Sequence, residues 1–186
     1  MKKYLVKDLM VPISEYATVS EGASLLETLL ALERAQEEFE HTRYSHRAVL
    51  ILDKNKHVIG KLSQLDFLRV LERENEHIEH INSISKFGFS PMAIIAYQEK
   101  HRAKGAPIEE TLLTAAKLKV EDFMQSPSEG EYIKENTSLE IAIHQLTTGF
   151  HLSLLVTKGK DITGVLRLSD VFAAVFHAMK ESELKE

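Results

Sequence analysis

Apolar and polar positions alternate and then switch to helical spacing in two short stretches, Gly60-Lys61-Leu62-Ser63-Gln64-Leu65-Asp66 and Gly164-Val165-Leu166-Arg167-Leu168-Ser169-Asp170. Alternation followed by three-to-four spacing predicts a strand, a turn and a helix. Val58, Ile59 and Leu62 are assigned to the first strand, and Leu65, Leu68 and Leu71 to the inner face of the helix after it. Ile162, Val165, Leu166, Val171, Ala174 and Val175 are their counterparts in the second stretch. Each aspartate follows its glycine at the same distance and falls in a first helical turn.

The repetition extends further. Val6-Lys7-Asp8-Leu9-Met10 matches Val120-Glu121-Asp122-Phe123-Met124, and Ser24-Leu25 matches Ser138-Leu139. The glycine and aspartate pairs match at a shorter offset, so copy one carries extra residues between its first helix and its next strand. In copy one, Tyr16 to Val19 reads as a short strand, and a helix opens at Ser24 with Glu27 three residues on. Leu25, Leu29, Leu32 and Phe39 continue one apolar face beyond the point where copy two stops, near the helix-ending Gly149. The charge-rich extension is expected to pack on the central insert or a second subunit, with a solvated helix as the alternative. Ala48 to Leu52 and Leu152 to Val156 are almost unbroken apolar runs, the pattern of strands buried on both faces, and polar turns follow both.

The predicted architecture is therefore α/β, with two βαββα repeats packed as one tandem module. Repeat one covers residues 1–72, with its extended first helix over 33–47, and repeat two covers 118–180, leaving a tail at 181–186. Residues 73–117 form a helical insert. Ile78, Ile81 and Ile84 prolong the helix that begins at Asp66, Ser90-Pro91 opens another that carries Met92, Ile94, Ile95 and Tyr97, and Ile108 to Leu118 forms a shorter one. This excursion is too apolar for a flexible linker and is expected to cover the repeats or a partner chain.

Composition narrows the function. The net charge of −5 over 186 residues gives no basic surface for broad nucleic-acid or anionic-membrane binding. With no cysteine, disulfide and thiolate chemistry are excluded, which suits a reducing cytoplasm. No apolar stretch approaches the length that spans a bilayer. A cytoplasmic protein is the reading. No Gly-rich phosphate loop, His-Glu-x-x-His or Gly-x-Ser-x-Gly motif is present, and no nucleophile is paired with a base, so an enzyme is not expected. His77-x-x-His80, with Glu76 and Glu79, places metal-ligand types on one helical side. Two imidazoles on a charged helix are more often solvated, and no metal is assigned.

The aspartates are the main candidates. Ser63-x-x-Asp66 is a capping box, in which hydroxyl and carboxylate satisfy unpaired backbone N–H groups. Arg167 offers no capping oxygen, yet Asp170 still follows at the same distance, which points to another duty for the carboxylate. A cap by Ser169 or Asp170 on a helix starting slightly later is the alternative.

Two units, each opening on Val-x-Asp-x-Met and closing on a glycine with an aspartate at fixed distance, resemble the tandem CBS-domain module. The resemblance covers about residues 1–72 and 118–180. It implies paired domains in a flat disc, with clefts between them that hold adenosine compounds such as AMP, ADP, ATP or S-adenosylmethionine. Asp66 and Asp170 match the family's ribose-binding aspartate, Ser63 its hydroxyl position, and Arg47 a basic position with His151 as its copy-two counterpart. The chemistry is consistent with this: a diol wants a bidentate acceptor, adenine an apolar slot, and phosphates want basic side chains, hydroxyls or a helix N-terminus. The chain departs from the pattern at Leu50 and Leu154, where the family often has proline, and at Arg167, which replaces a hydroxyl. Arg167 either holds an extra phosphate or fills the cleft by pairing with a carboxylate. In either case the two clefts are not equivalent.

The expected function is a regulatory module that senses an adenine nucleotide, needs no cofactor, forms a homodimer and passes its signal to that dimer or to an unidentified protein partner. One rival is a nucleotide-free scaffold in which Asp66 and Asp170 only cap helices. Another is a nucleotide-processing enzyme with metal near His77.

Overall fold

The apolar runs become the central strands of two sheets in the computed structural model, which describes residues 4–38, 46–73 and 108–183. The first sheet has the order β2-β3-β4, from Thr18–Ser20, Ala48–Leu52 and Val58–Ser63. β2 runs parallel to β3, and β3 antiparallel to β4. Helix α2, Leu25–Glu38, connects β2 to β3, and α3, Gln64–Arg73, leaves β4. The second sheet repeats this plan with β5 (Tyr132–Lys134), α5 (Leu139–Thr148), β6 (Ser153–Lys158), β7 (Asp161–Arg167) and α6 (Leu168–Glu183). Between the two units, α4 (Ile108–Ala115) lies against α3. The sequence-predicted unit of strand, helix, two strands and helix is thus present twice.

Local signals explain the helix ends. At α2, the Glu27 carboxylate accepts from Ser24 N at 2.6 Å while Glu27 N donates to Ser24 Oγ at 3.2 Å, a closed capping box. Gly149 caps the end of α5, although the left-handed turn falls one residue later, at Phe150 with φ 52°.

The second sheet carries one strand more than the first, and that strand comes from the start of the chain. β1, Val11–Pro12, pairs with β7. Ahead of it, α1 (Val6–Leu9) docks beside β5 and α5, with Val6 N donating to Thr137 O and Lys7 N to Glu135 O, each at 2.9 Å. The equivalent arm of copy two docks on the first sheet. There Val120 N donates to Ala23 O at 3.0 Å, and Gln125 and Lys61 exchange backbone bonds at 2.9 and 3.0 Å. The two Val-x-Asp-x-Met arms have changed places. Val6 accordingly packs among Ile133, Leu146, Leu154 and Val156, while Val120 packs among Leu25, Ile51, Leu62 and Val70. A third cluster, of Val11, Tyr16, Leu50, Leu155 and Val165, joins the two sheets.

The repeated glycine is explained by the arms that cross it. A Cβ on Gly164 would lie 2.5 Å from the Val11 carbonyl oxygen, and one on Gly60 would strike the Met124 thioether. The carbonyl is fixed by the β1–β7 pairing, whereas a methionine side chain turns aside easily. Gly164→Ala is therefore expected to cost about 3 kcal/mol, the upper part of the range for overpacking, and Gly60→Ala about 1 kcal/mol. Urea unfolding of the two variants checks the order. Equal losses would contradict the rigid approach at Gly164.

One expectation needs correction. Leu65 and Leu68 do not form the inner face of α3; they are 52% and 60% exposed, while Val70 is buried with Phe67 and Leu71 packed beside it. Two overlapping stripes of apolar residues run along this helix, and its start at Gln64 turns the Phe67, Val70 and Leu71 stripe inward. In α6 the expected Val171 and Ala174 are buried. The proposed strand at Tyr16 begins at Thr18, with Tyr16 and Ala17 buried ahead of it. Phe39, His77, His80 and the helix expected at Met92 lie outside the described residues. Within the expected insert, α4 buries Thr111 and Ala115, so this part covers the first repeat unit.

Candidate functional site

Strands β4 and β7 end at Ser63 and Arg167, and the turns leading into α3 and α6 face one another across a cleft of about 580 Å³. That volume is within the usual range for a small-molecule site. Ser63, Asp66, Arg47, His151 and Arg167 all line it, and Asp170 stands behind Arg167. Tyr16, Ala48, Leu65, Leu168 and Phe172 also line the cleft.

The two aspartates are held in different ways. Asp66 Oδ2 accepts from Ser63 N at 2.9 Å and Ser63 Oγ at 2.5 Å, while Asp66 N donates back to Ser63 Oγ at 3.2 Å. This is the capping box expected from the sequence. The other oxygen, Oδ1, accepts from Arg69 Nη1 at 3.1 Å and from the side-chain amide of Gln125. In copy two, Arg167 donates to both oxygens of Asp170, Nε to Oδ2 at 2.5 Å and Nη2 to Oδ1 at 2.7 Å. Of the two roles considered for Arg167, the structure shows pairing with a carboxylate. The residue is only 4% exposed.

Lys61, Arg69, Gln125 and Glu131 also line the cleft and were not singled out from the sequence. Lys61 forms an ion pair with Glu131 across the two units. Burial alone would raise the Glu131 carboxyl, but its bonds from Lys61 and Ser128 hold it below the usual range. The site thus sets Arg47, Lys61, Arg69 and Arg167 against Asp66, Glu131 and Asp170, with each carboxylate paired to one of the last three cations and Arg47 left as the excess positive charge. The Arg47 side chain is exposed and has no hydrogen-bond or ion-pair partner among the described residues. His151 lies over Gly149, where a side chain would overlap its ring. No group of three or more His, Asp or Glu residues suited to a metal occurs among the described residues.

Tyr16, in the cleft lining, meets the buried His46 edge to face, with ring centroids 4.6 Å apart. Burial pushes the Tyr16 hydroxyl up to about 12. Burial, with the charge of Arg167 second, brings His46 down to about 4 from 6.5. An unfolded chain therefore binds a proton at His46 between these two values that the folded chain does not. Stability from this group is complete above pH 6.5 and falls as the pH drops toward 4, by about 2 kcal/mol at pH 5. Urea unfolding at pH 7 and pH 5 should show that loss in the native protein and most of it abolished in His46→Leu. The same pH dependence in both would contradict a neutral buried imidazole.

The CBS domain profile matches residues 6–73 and 120–177. The chain belongs to the CBS-domain family. Solved CBS structures share its fold at low sequence identity. CBSX2 in complex with AMP has a TM-score of 0.60 at 18% identity, covering 94% of this chain and 97% of that one. A CBS domain-containing protein of unknown function from Bacillus anthracis str. Ames Ancestor gives 0.61 at 16% identity, covering 94% of each chain. The cytosolic domain of the Mg2+ channel MgtE, in complex with ATP, gives 0.52 at 18% identity, covering 89% of this CBS chain and 46% of that one. No curated protein matches the chain. No helix among the described residues of this CBS pair is long and apolar enough to cross a membrane.

Proposed function

We propose that this CBS pair is a cytoplasmic regulatory module, not an enzyme, that binds an adenine nucleotide or a related adenosine compound between its two units. The observation that carries the reading is the cleft itself, whose lining brings together the Asp66 carboxylate and the Arg47 guanidinium, the latter without a partner among the described residues. A ribose diol would take the Oδ1 side of Asp66 in place of Arg69 and Gln125. Adenine would lie against apolar side chains such as Leu65 and Ala48, and the phosphates would turn toward Arg47. AMP in the CBSX2 structure and ATP in that of MgtE support this ligand class.

Gln125 gives such a ligand a route to the rest of the molecule. Its side chain holds Asp66, while its backbone joins the exchanged arm to β4. A ligand that displaces the amide makes different contacts with different arm positions, which is what a population shift requires. The signal would pass through a homodimer or to a protein partner. In support of the dimer, Phe172, Phe176 and Met179 of α6 and Leu68 of α3 leave large apolar side chains exposed.

The scaffold reading has one specific observation in its favour: both aspartates already have partners. Calorimetric titration of ligand-free protein with AMP, ADP, ATP and S-adenosylmethionine separates the two. Saturable binding of one of them supports the sensor. No binding to any supports the scaffold.

A further inference from the structure

The two repeat-related carboxylates differ in how easily a ligand displaces their partners. At Asp66 the ligand-facing oxygen is held by Gln125 and by Arg69, whose side chain is 55% exposed. An exposed pair at this spacing contributes little, and the guanidinium regains water when it leaves. The Gln125 amide is neutral and likewise exchanges one acceptor for another. At Asp170 both oxygens are engaged by a single planar fork, and the Arg167 side chain is 5% exposed. Opening that pair would break two charge-assisted bonds at a guanidinium that has little access to water in exchange. A neutral diol has no charge to offer in exchange. Arg167, rather than Asp170, also forms the surface of the cleft.

On the basis of the nucleotide reading, we infer that one chain binds one nucleotide, with its diol on Asp66, and that the Arg167–Asp170 pair closes the repeat-related second diol position. Arg167 is thereby the residue that sets stoichiometry. Arg167→Ser recreates in copy two the Ser-x-x-Asp arrangement that copy one holds at Ser63 and Asp66, so the helix keeps its cap while the fork is removed.

The test is equilibrium dialysis with AMP and with ATP, counting nucleotide bound per chain at saturation. The native protein should bind one, Arg167→Ser two, Asp66→Asn none over the same concentration range, and the double variant one. Circular dichroism confirms that each variant is folded. Two nucleotides on the native chain, or one on a folded Arg167→Ser, would overturn the inference and leave the nucleotide reading standing. If Arg167→Ser fails to fold, a full site retained by Asp66→Asn overturns the inference by itself, because it places binding at a position held to be closed. No binding of AMP or ATP to any of the four proteins would overturn both.

Discussion

Val6→Asp is expected to lower stability by about 4 kcal/mol, a large share of the 5–15 kcal/mol that holds a typical domain together. Val6 is 1% exposed and packs among Ile133, Ala142, Leu146 and Leu154, an apolar cluster in which a new carboxylate would be buried. The substitution also removes the apolar burial of the valine, about 2 kcal/mol of transfer free energy. The damage should appear in the second unit, although Val6 is in the first few residues of the chain. Urea unfolding followed by circular dichroism measures the loss, and hydrogen exchange at β5 and β6 locates it. A change below about 1 kcal/mol would contradict the docking of the first arm on the second sheet.

Asp66→Asn is expected to weaken nucleotide binding on the order of 100-fold, because the charge-assisted bonds that Asp66 Oδ1 would accept from the ribose hydroxyls become neutral ones. The fold should survive. The carboxylate closes the Ser63 box at the start of α3, and losing such a cap costs about 1 kcal/mol, small beside the core clusters. Calorimetric titration of the folded variant checks the affinity. Unchanged binding would remove Asp66 from the ribose site and leave it as a helix cap.

The elements of this chain were legible in its sequence because they rest on local periodicity. The apolar run at Ala48, the Ser24 and Ser63 boxes and the Gly149 stop each act within a few residues, and each occurs in the structure. The exchange of arms was not legible, because Val6 and Val120 are equivalent residues in equivalent motifs. Either arm satisfies the hydrophobic pattern of either sheet. What distinguishes them is the path of the chain, which no local pattern encodes. Leu65 and Leu68 misled for a related reason: two stripes fit one helix, and the inward one is chosen by packing against Leu25 and Ile51. At the cleft, Arg167 and Asp170 are three apart on a helix start, so their pairing had a visible signal. Gln125 and Glu131 had none, as they reach Asp66 and Lys61 across 59 and 70 residues of sequence.

The central claim is that a ribose diol meets the Asp66 carboxylate in the cleft between the two units. It is tested most directly by titrating the native protein with ATP and with 2′,3′-dideoxy-ATP, which keeps the base and phosphates but lacks both hydroxyls. Saturable binding of ATP, with the dideoxy analogue weaker by on the order of 100-fold, is the predicted result. Equal affinity for the two, or no binding of either, would contradict it.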